Sequence, residues 1–534
     1  MRQREWASGD GVIFLRVRVM WMTVGLVWVL VCGCQAGKSG GVGGGGTAAR
    51  VNFAEAAKSP EARTKPAAQQ PVFDNGWVRD LPSRPTRGRR KEAPAAPAAT
   101  AEAVPIRPCS IAASPCAFDG VAEDSSCASC GVPPDPNAAV GAGKIVEVVN
   151  DLIQVTNRMG AVECGGSVTL QTLLNTTNSL TDPRVQFDNV NQRFSFSVTV
   201  SNPGPKDTPA MFVAATETDD PCGNWFVYRM TFHGSAYPTG FFLDFPMLGQ
   251  DQNALLLSLR TCKSNADCGN PIFTVFGVPK ALVYTNQHVE FNCFQVDSLT
   301  APVTNAGNPM IASPVSFFLA AVPGTGYKLY RLTNSGGNGA VMTKTTIPAP
   351  FSKPSRRVNQ PGTTNTIDPS DGNIVSFPYF DGTRIWFSHD GDDDGFPTVR
   401  YGFVDTSKNA VETTWAFHSG SSDDFNSSLA VGITPRGETV FMNWAFTDTL
   451  AGKATTDVFA SGDASKPLVT IAGPGTIFAS GGVTSQSRFG DFSSVSVDPS
   501  VSGCAFATQQ YFASDGNWKT RIQPIGQCES IVVK

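Results

Sequence analysis

Residues 182–196 read Asp-Pro-Arg-Val-Gln-Phe-Asp-Asn-Val-Asn-Gln-Arg-Phe-Ser-Phe. The stretch contains a polar turn, a short apolar strand, a second turn rich in Asn and Asp, and another apolar strand, which is typical of a β-hairpin. Related stretches recur along the chain, so the sequence is built from repeated hairpin units. The copies begin at Asp135, Asp182, Asp244, Ser313, Ser376, Asp424 and Asp491.

The spacing of these seven copies leaves room in each for a four-stranded meander. Seven meanders arranged radially form a β-propeller, an architecture with few exposed sheet edges. We therefore predict an all-β, seven-bladed propeller, and the alternative is a pair of tandem β-sandwiches. The composition agrees, because 52 Gly, 38 Pro and only 16% charged residues are typical of turn-rich β structure.

Several motifs resemble a largely uncharacterised family of secreted bacterial β-propellers. They are Asp182-Pro-Arg-Val, Asp244-Phe-Pro with the following Asp251-Gln-Asn, Ile385-Trp-Phe-Ser-His leading to Val399-Arg-Tyr, and Arg488-Phe-Gly-Asp-Phe-Ser-Ser-Val-Ser-Val-Asp-Pro. The resemblance runs over about 132–526 and implies the propeller fold without supplying catalytic residues. The fifth copy departs from the family pattern in its acidic stretch at 390–395.

The first residues carry an export signal. Two arginines precede an apolar run that ends at Val31 and is shorter than the 20 or so residues of a membrane-spanning helix. The following Cys-Gly-Cys34 resembles the lipobox of bacterial lipoproteins, in which the last cysteine receives diacylglycerol. We expect a signal peptide over 1–33 and lipidation of Cys34. The alternative is an ordinary secreted protein cleaved near Ala36.

Residues 34–108 lack a periodic apolar pattern and include Gly-Gly-Val-Gly-Gly-Gly-Gly at 40–46. This composition predicts a disordered Gly/Ala/Pro-rich tether with an end-to-end distance of roughly 50 Å. Gln35 resembles the residue that sorts lipoproteins to the outer membrane. We therefore expect an exported protein, lipid-anchored at the outer membrane or cell surface. Its folded part would comprise a cysteine-rich lead-in at 109–131 and the propeller at 132–534.

The balance of charge argues against nucleic acid as a partner. The chain has 41 Lys and Arg against 45 Asp and Glu, with a formal net charge of −4, so it lacks the basic field that holds a polyanion. The basic run at 84–91 either contacts anionic headgroups or is solvated. The expected partners are the membrane, through the lipid, and a glycan, peptide or protein ligand.

Aspartates that begin five of the copies are predicted to share one position, at the start of the innermost strand of a blade. They would then ring one mouth of the central channel. The catalytic candidates are Asp182, Asp244, Asp424 and Asp491, and the binding candidates are Asp135, Arg184 and Arg488. Such a ring could bind a cation or sugar, or perform acid–base catalysis if two acids reach one bond. Alternatively, each aspartate accepts backbone hydrogen bonds at its own turn.

A second acidic motif, His389-Asp-Gly-Asp-Asp-Asp-Gly395, predicts a calcium site. Asp390, Asp392 and Asp394 alternate before a glycine turn, a spacing that suits a hard cation with oxygen ligands. The motif is not an EF-hand, because the position of its bidentate glutamate is occupied by tyrosine. The sequence leaves two interpretations of this motif open, a structural Ca²⁺ site and a solvated acidic loop. No organic cofactor is expected.

Cysteine spacing predicts disulfides in an oxidising compartment. Cys262 and Cys268 would close a short loop, and Cys504 with Cys528 would join the C-terminal strands. The four cysteines within 109–130 fit disulfides, with a zinc site as the alternative. Two functions remain open on the sequence. One is a non-catalytic binding module for a glycan, peptide or protein, and the other is a carbohydrate-active hydrolase or lyase that uses the channel-mouth carboxylates.

Overall fold

A computed structural model describes most of the chain from residue 117 onward, together with a short N-terminal segment. The described ranges are 49–59, 117–123, 132–234, 236–264, 267–305, 311–335, 337, 339–434, 437–485 and 487–528, with only the backbone described at 31–32 and 433–434. The predicted signal peptide cleavage point, the predicted lipidation site Cys34 and most of the predicted tether and lead-in lie outside these ranges.

The described residues form seven sheets of four or five strands and one small hairpin, so the prediction of a seven-bladed β-propeller is confirmed. The innermost strands of blades 1 to 4 contact one another in turn, and so do those of blades 6, 7 and 1. Blade 5 contacts blade 4 through the rings of Phe387 and Tyr327, and its strand Arg384–Asp393 contacts the innermost strand of blade 6. The ring is therefore closed around a central channel, and the alternative of tandem β-sandwiches is excluded.

Blades 1 to 3 follow one another along the chain, and their strands run antiparallel from the channel outward. Blade 1 comprises Asn137–Gly141, Lys144–Val149, Leu152–Asn157 and Val168–Thr169. Blade 2 comprises Ser179–Asp188, Arg193–Ser201, Ala210–Thr216, Asn224–Thr231 and, outermost, Ala49–Asn52. Blade 3 comprises Phe242–Gln250, Ala254–Cys262, Ile272–Pro279, Cys293–Val296 and the two-residue strand Val31–Cys32.

Blades 4 to 7 complete the ring. Blade 4 comprises Ala301–Pro302, Val315–Val322, Gly326–Thr333 and Val341–Pro348. Blade 5 comprises Thr304–Asn305, Tyr379–Phe380, Arg384–Asp393, Phe396–Asp405 and Ala410–Ala416. Blade 6 comprises Asp423–Thr434, Gly437–Asp448, Lys453–Asp463 and Thr476–Ser480. Blade 7 comprises Ser494–Val497, Cys504–Phe512, Trp518–Gly526 and, outermost, Phe118–Ala122.

The remaining elements are short. They are the hairpin Val358–Asn359 with Thr366–Ile367, the helices Phe53–Ala56, Leu170–Leu173 and Lys280–Val283, and the 3₁₀ turn Leu468–Thr470. No helix in the described part of the chain is long and apolar enough to cross a membrane.

The start predicted for the fourth copy, Ser313, is wrong. The innermost strand of blade 4 is Ala301–Pro302, and the strand after Ser313 is the second of that blade. A two-residue inner strand carries no alternating pattern, so the sequence signal begins only at the second strand.

Part of the predicted tether is ordered on the propeller. Ala49–Asn52 pairs antiparallel with the fourth strand of blade 2, and Phe53 after it is fully buried in the core shared by blades 1 and 2. An exposed edge strand offers unpaired backbone groups, which this segment satisfies. The short apolar pair of Val51 and Phe53 was too weak a pattern to predict this in so Gly-rich a region.

Three disulfides have both cysteines among the described residues, and Cys293 is disulfide-bonded as well. Cys262–Cys268 and Cys504–Cys528 were predicted and are confirmed, whereas Cys164–Cys222, which joins outer loops of blades 1 and 2, was not predicted. The four cysteines within 109–130 lie outside the described ranges, so their state stays a prediction.

Candidate functional site

The predicted carboxylate ring lies where the innermost strands begin, and two of its members bind neighbouring blades. Asp135 of blade 1 accepts a hydrogen bond from the backbone nitrogen of Asp491 in blade 7 at 2.7 Å. Asp182 of blade 2 accepts one from the backbone nitrogen of Phe245 in blade 3 at 3.1 Å. Aspartates here do accept backbone hydrogen bonds, but from the next blade rather than from their own turn.

A β-bulge near the start of the innermost strand fixes which residues are equivalent in blades 2, 3 and 6. The first bulged residue has a left-handed φ of 60°, 55° and 51°, respectively, and these residues are Asp182, Phe245 and Asn426. Asp244 lies one residue before its bulge and Asp424 lies two residues before, so the predicted equivalence of these two aspartates to Asp182 is wrong. Asp424 instead accepts a hydrogen bond from the indole of Trp444 within blade 6 at 3.0 Å.

Two ring carboxylates are paired with arginines. The carboxylate of Asp244 lies 2.6 Å from Nε of Arg260, and Asp491 is bonded to Arg488. Burial raises the pKa of Asp135 to about 7, with a further contribution from the charge of Asp491. A carboxyl group with this pKa would suit acid–base catalysis if one of its oxygens were open to a substrate.

The hydrogen bonds argue against that role. Asp135 uses one oxygen for Asp491 and the other for the side chain of Asn150 at 2.8 Å. Asp182 likewise uses one oxygen for Phe245 and the other for the hydroxyl of Thr181 at 2.8 Å. The ring therefore contributes to the cohesion of the blades, and its geometry does not favour the hydrolase or lyase alternative.

The opposite end of the channel holds a cavity of about 520 Å³. It is surrounded by the ends of the innermost strands of blades 1, 2, 3, 5 and 7, and its lining includes Gln186, Gln250, Asn305, Phe377 and Tyr379. This volume is that of a typical small-molecule site, and the mixture of amides, hydroxyls and aromatic rings suits a ligand with both apolar faces and hydrogen-bonding groups.

Two glutamines in the wall of this cavity have fixed amide orientations. Gln186 donates through Nε2 to the hydroxyl of Thr304 at 2.6 Å and to the carbonyl oxygen of Leu248 at 3.3 Å. Gln250 donates through Nε2 to the carbonyl oxygen of Phe187 at 2.9 Å. Because a backbone carbonyl can only accept, the nitrogen must face it. The side-chain carbonyl oxygens of both glutamines are buried without a hydrogen-bond partner in the described part of the chain.

A buried ion pair lies at the rim of the same cavity. Nζ of Lys280 is 2.6 Å from the carboxylate of Asp188 and also donates to the backbone oxygen of Asp251 at 2.6 Å. Burial opposes ionisation of Asp188, but the lysine charge and hydrogen bonds lower the pKa of this carboxyl group. The rim is therefore electrically balanced and rigid.

Arg184 separates the two ends of the channel. Its guanidinium carbon lies 4.5 Å from the ring centre of Phe377 and 4.1 Å from that of Phe492. Phe377 precedes the strand Tyr379–Phe380 of blade 5, and Phe492 precedes the innermost strand of blade 7. Neither blade is a neighbour of blade 2, so the side chain reaches across the channel. A smaller cavity of about 60 Å³ lies on the other side, lined in part by Arg260, Arg488 and Asp491.

The side chains of the predicted calcium motif do not fit such a site. Asp390 and Asp392 lie on the second strand of blade 5, and Asp394 with Gly395 forms the hairpin turn. Asp390 is buried and accepts hydrogen bonds from Ser370 and from the backbone of Asn426. In the described ranges, the one group of three or more His, Cys, Asp or Glu with ligand atoms within 4.8 Å is Asp244, Cys262 and Cys268, whose cysteines are joined by a disulfide.

The residues of the larger cavity were not predicted. Gln186 and Gln250 are polar residues near the ends of their inner strands. Gln186 lies two residues before the turn aspartate Asp188, and Gln250 lies next to the turn aspartate Asp251. Both aspartates accept backbone hydrogen bonds within their own turns. A polar residue at the end of an inner strand was the available signal, and it is weak because such residues are also common at turns.

Comparisons with known proteins give structural matches at low sequence identity and low TM-score. No family model and no curated protein matches the sequence. A sialidase of Trypanosoma rangeli aligns with 68% of this chain and 56% of its own, at 10% identity and a TM-score of 0.34. An α-L-arabinofuranosidase of Fusarium graminearum aligns with 78% of this chain and 97% of its own, at 11% identity and a TM-score of 0.34.

An exo-β-1,3-galactanase of Phanerochaete chrysosporium is also similar, over 58% of this chain and 76% of its own, at 13% identity and a TM-score of 0.27. This chain thus spans little more than half the length of the sialidase. The activities in these names are those of the neighbours.

Proposed function

We propose that this chain is an exported, lipid-anchored β-propeller that binds a glycan in the larger channel cavity without catalysing its cleavage. The observation that carries the proposal is the cavity of about 520 Å³, whose wall holds two glutamine carbonyl oxygens without partners. Buried acceptors of this kind are costly until a donor reaches them. A sugar supplies hydroxyl donors together with apolar ring faces that pack against aromatic side chains.

The proposed absence of catalysis is supported by the opposite end of the channel. Both oxygens of Asp135 and of Asp182 are used by bonds that hold the blades together. Near the larger cavity, the carboxylate of Asp188 is paired with Lys280. None of these three acids offers an unengaged oxygen to a glycosidic bond.

The proposed export and anchoring rest on the signal sequence and on Cys34, and the three disulfides support an oxidising compartment. Expression of wild-type protein and Cys34→Ala with labelled fatty acid tests the anchor. We expect label and membrane association only in the wild type. Equal membrane association of the variant would exclude Cys34 as the anchor.

Glycan binding is tested on the full chain in detergent with an array of neutral oligosaccharides, followed by calorimetry on the best binder. We expect Gln186→Met and Gln250→Met to weaken binding by about tenfold or more, the effect of losing one buried hydrogen bond. Gln287→Met is the matched control, because Gln287 is exposed and outside the cavity. Equal affinity in all variants would show that the glycan binds outside the larger cavity. Release of sugar from the bound glycan would establish the hydrolase alternative.

A further inference from the structure

The side chain of Arg184 is completely buried in the channel. Two of the three nitrogens of its guanidinium have no hydrogen-bond partner in the described ranges. Its Nη2 donates to the backbone oxygen of Val375 at 3.1 Å. Its Nε and Nη1 have no hydrogen-bond partner in the described ranges. The rings of Phe377 and Phe492 lie against the guanidinium, so an acceptor must approach the free nitrogens along directions that these rings leave open.

The nearest acids do not neutralise this guanidinium. Asp135 and Asp182 influence it through space, but their oxygens are bonded to other groups. Among the described residues, Arg184 forms no ion pair with a carboxylate, although the charges of Asp135 and Asp182 act on it from a distance. Burial accordingly lowers the pKa of Arg184 to about 9. A buried cation without a paired anion is costly by several kcal/mol.

A second donor lies beside the same strand. The side-chain oxygen of Asn137 accepts from the backbone nitrogen of Val185, the residue after Arg184, at 2.8 Å. That bond fixes the amide, so its nitrogen points elsewhere. The nitrogen is also buried without a partner in the described part of the chain. Two fully buried side chains, on the innermost strands of blades 1 and 2, thus have hydrogen-bond donors without partners in the described ranges.

We propose that the channel between its two cavities binds a small monovalent anion, such as a halide or a short carboxylate, at the guanidinium of Arg184. An anion accepts hydrogen bonds and supplies the missing charge, and buried charge-assisted hydrogen bonds are strong. The site is distinct from the larger cavity, so it holds whether or not that cavity binds a glycan. The bound anion stabilises the closed ring of blades.

Thermal unfolding of the full chain in detergent tests the proposal. Sodium chloride and sodium acetate are compared with sodium gluconate at equal ionic strength, because gluconate is too bulky for a buried site. We expect the wild-type Tm to rise by several degrees with chloride or acetate between 1 and 100 mM, on the order of the stabilisation produced by a bound ligand in excess. The two salts distinguish a halide site from a carboxylate site.

Arg184→Met is the decisive variant, since methionine keeps the length of the stem and packs between two phenyl rings. We expect it to fold, to lose the response to chloride and acetate, and to match or exceed wild-type Tm in gluconate. Crystals of the wild type soaked in bromide provide a measurement that does not depend on this variant, with anomalous density expected beside the guanidinium. An equal Tm response in Arg184→Met, an insensitive wild type, or no bromide density at Arg184 would overturn the proposal.

Discussion

The carboxylate of Asp390 in blade 5 accepts a hydrogen bond from the backbone nitrogen of Asn426 in blade 6 at 3.0 Å. The same oxygen accepts from the hydroxyl of Ser370 at 3.0 Å, and the other oxygen is buried without a partner in the described part of the chain. An acid predicted from its sequence pattern to hold calcium is therefore an inter-blade contact, like Asp135 and Asp182.

Asp390→Asn is expected to stabilise the protein at pH 8 and to have little effect at pH 4. Burial raises the pKa of Asp390 from 3.8 to about 7. The neutral acid contributes stability that is fully present below pH 4 and is lost as the pH rises to about 7, a loss on the order of 4 kcal/mol. Asparagine keeps an acceptor for Asn426 and never ionises. Urea unfolding of both proteins at pH 4 and pH 8 measures the difference.

Asp405→Asn is the control for that experiment. Asp405 is partly buried at a turn, and its hydrogen bond to Lys408 lowers the pKa of its carboxyl group. The rise in stability relative to wild type that is expected for Asp390→Asn between pH 4 and pH 8 should therefore be absent or reversed in Asp405→Asn. A gain for Asp390→Asn that is the same at both pH values would contradict the assigned ionisation.

The fold could be predicted because turn and strand residues recur in every copy, but the exact position of each copy could not. A bulge adds one residue to the innermost strand before Arg184, Met247 and Ser428 in blades 2, 3 and 6. Asp182 lies in its bulge, whereas Asp244 and Asp424 lie before theirs, so these aspartates align with Asp182 in sequence and not in space. Bulges depend on the pairing of two strands, which one strand's sequence does not reveal. The cavity glutamines, Gln186 and Gln250, gave only a weak signal in the sequence, because they line a cavity that forms only where separate blades converge.

Asp182→Ala is expected to lower the free energy of unfolding by about 1–3 kcal/mol, the cost of leaving the buried nitrogen of Phe245 without its acceptor. Alanine also tolerates the left-handed φ of 60° at this position less well than aspartate. Asp182→Asn keeps an acceptor for the backbone nitrogen of Phe245, and asparagine tolerates the left-handed φ as well as aspartate does. This variant should be at least as stable as wild type at pH 8. Chemical denaturation of the three proteins gives the order, and wild-type stability in Asp182→Ala would refute the inter-blade role.

Removal of each disulfide is expected to destabilise the protein, and the loss of stability should increase with the length of the loop that the disulfide closes. Cys164–Cys222, Cys504–Cys528 and Cys262–Cys268 separate their cysteines by 58, 24 and 6 residues. Loop entropy then gives losses of about 4, 3.5 and 2.5 kcal/mol, respectively. Paired Cys→Ala variants measured by denaturant unfolding test the order, and a largest loss at the shortest loop would show that strain or packing dominates.

Calcium is expected to leave the melting temperature unchanged. Asp392 accepts hydrogen bonds from the backbone nitrogens of Ser355 and Gly395, while Asp390 is buried toward blade 6, so the two carboxylates serve different partners. Melts of the full chain with millimolar calcium and with chelator measure the effect, with Asp392→Ala as the control. A rise with calcium in the wild type that Asp392→Ala abolishes would restore the sequence prediction of a calcium site.

Phe53→Ala is expected to release the docked N-terminal segment without unfolding the propeller. Phe53 is fully buried in the core of blades 1 and 2, and the four-residue strand before it has few other apolar anchors. Hydrogen exchange should show loss of protection over 49–56, with most other amides unchanged. Lys58→Ala is the control, because Lys58 is exposed and pairs only with Glu55. Retained protection in Phe53→Ala would mean that backbone pairing alone holds the segment.

The docking of Ala49–Asn52 on blade 2 would shorten the tether of the proposed mature chain, which begins at the lipid-carrying Cys34. Only residues 35–48 would then separate the lipid from the docked strand of blade 2, and fully extended they reach at most about 50 Å, against about 250 Å for the whole stretch to residue 108. For a protein anchored in this way, the volume that the domain can search above the membrane would fall by on the order of a hundredfold, and its local concentration near the surface would rise in proportion. The proposed anchor would thereby hold the outer edge of blade 2 toward the bilayer, and the propeller would meet only ligands that come close to the surface.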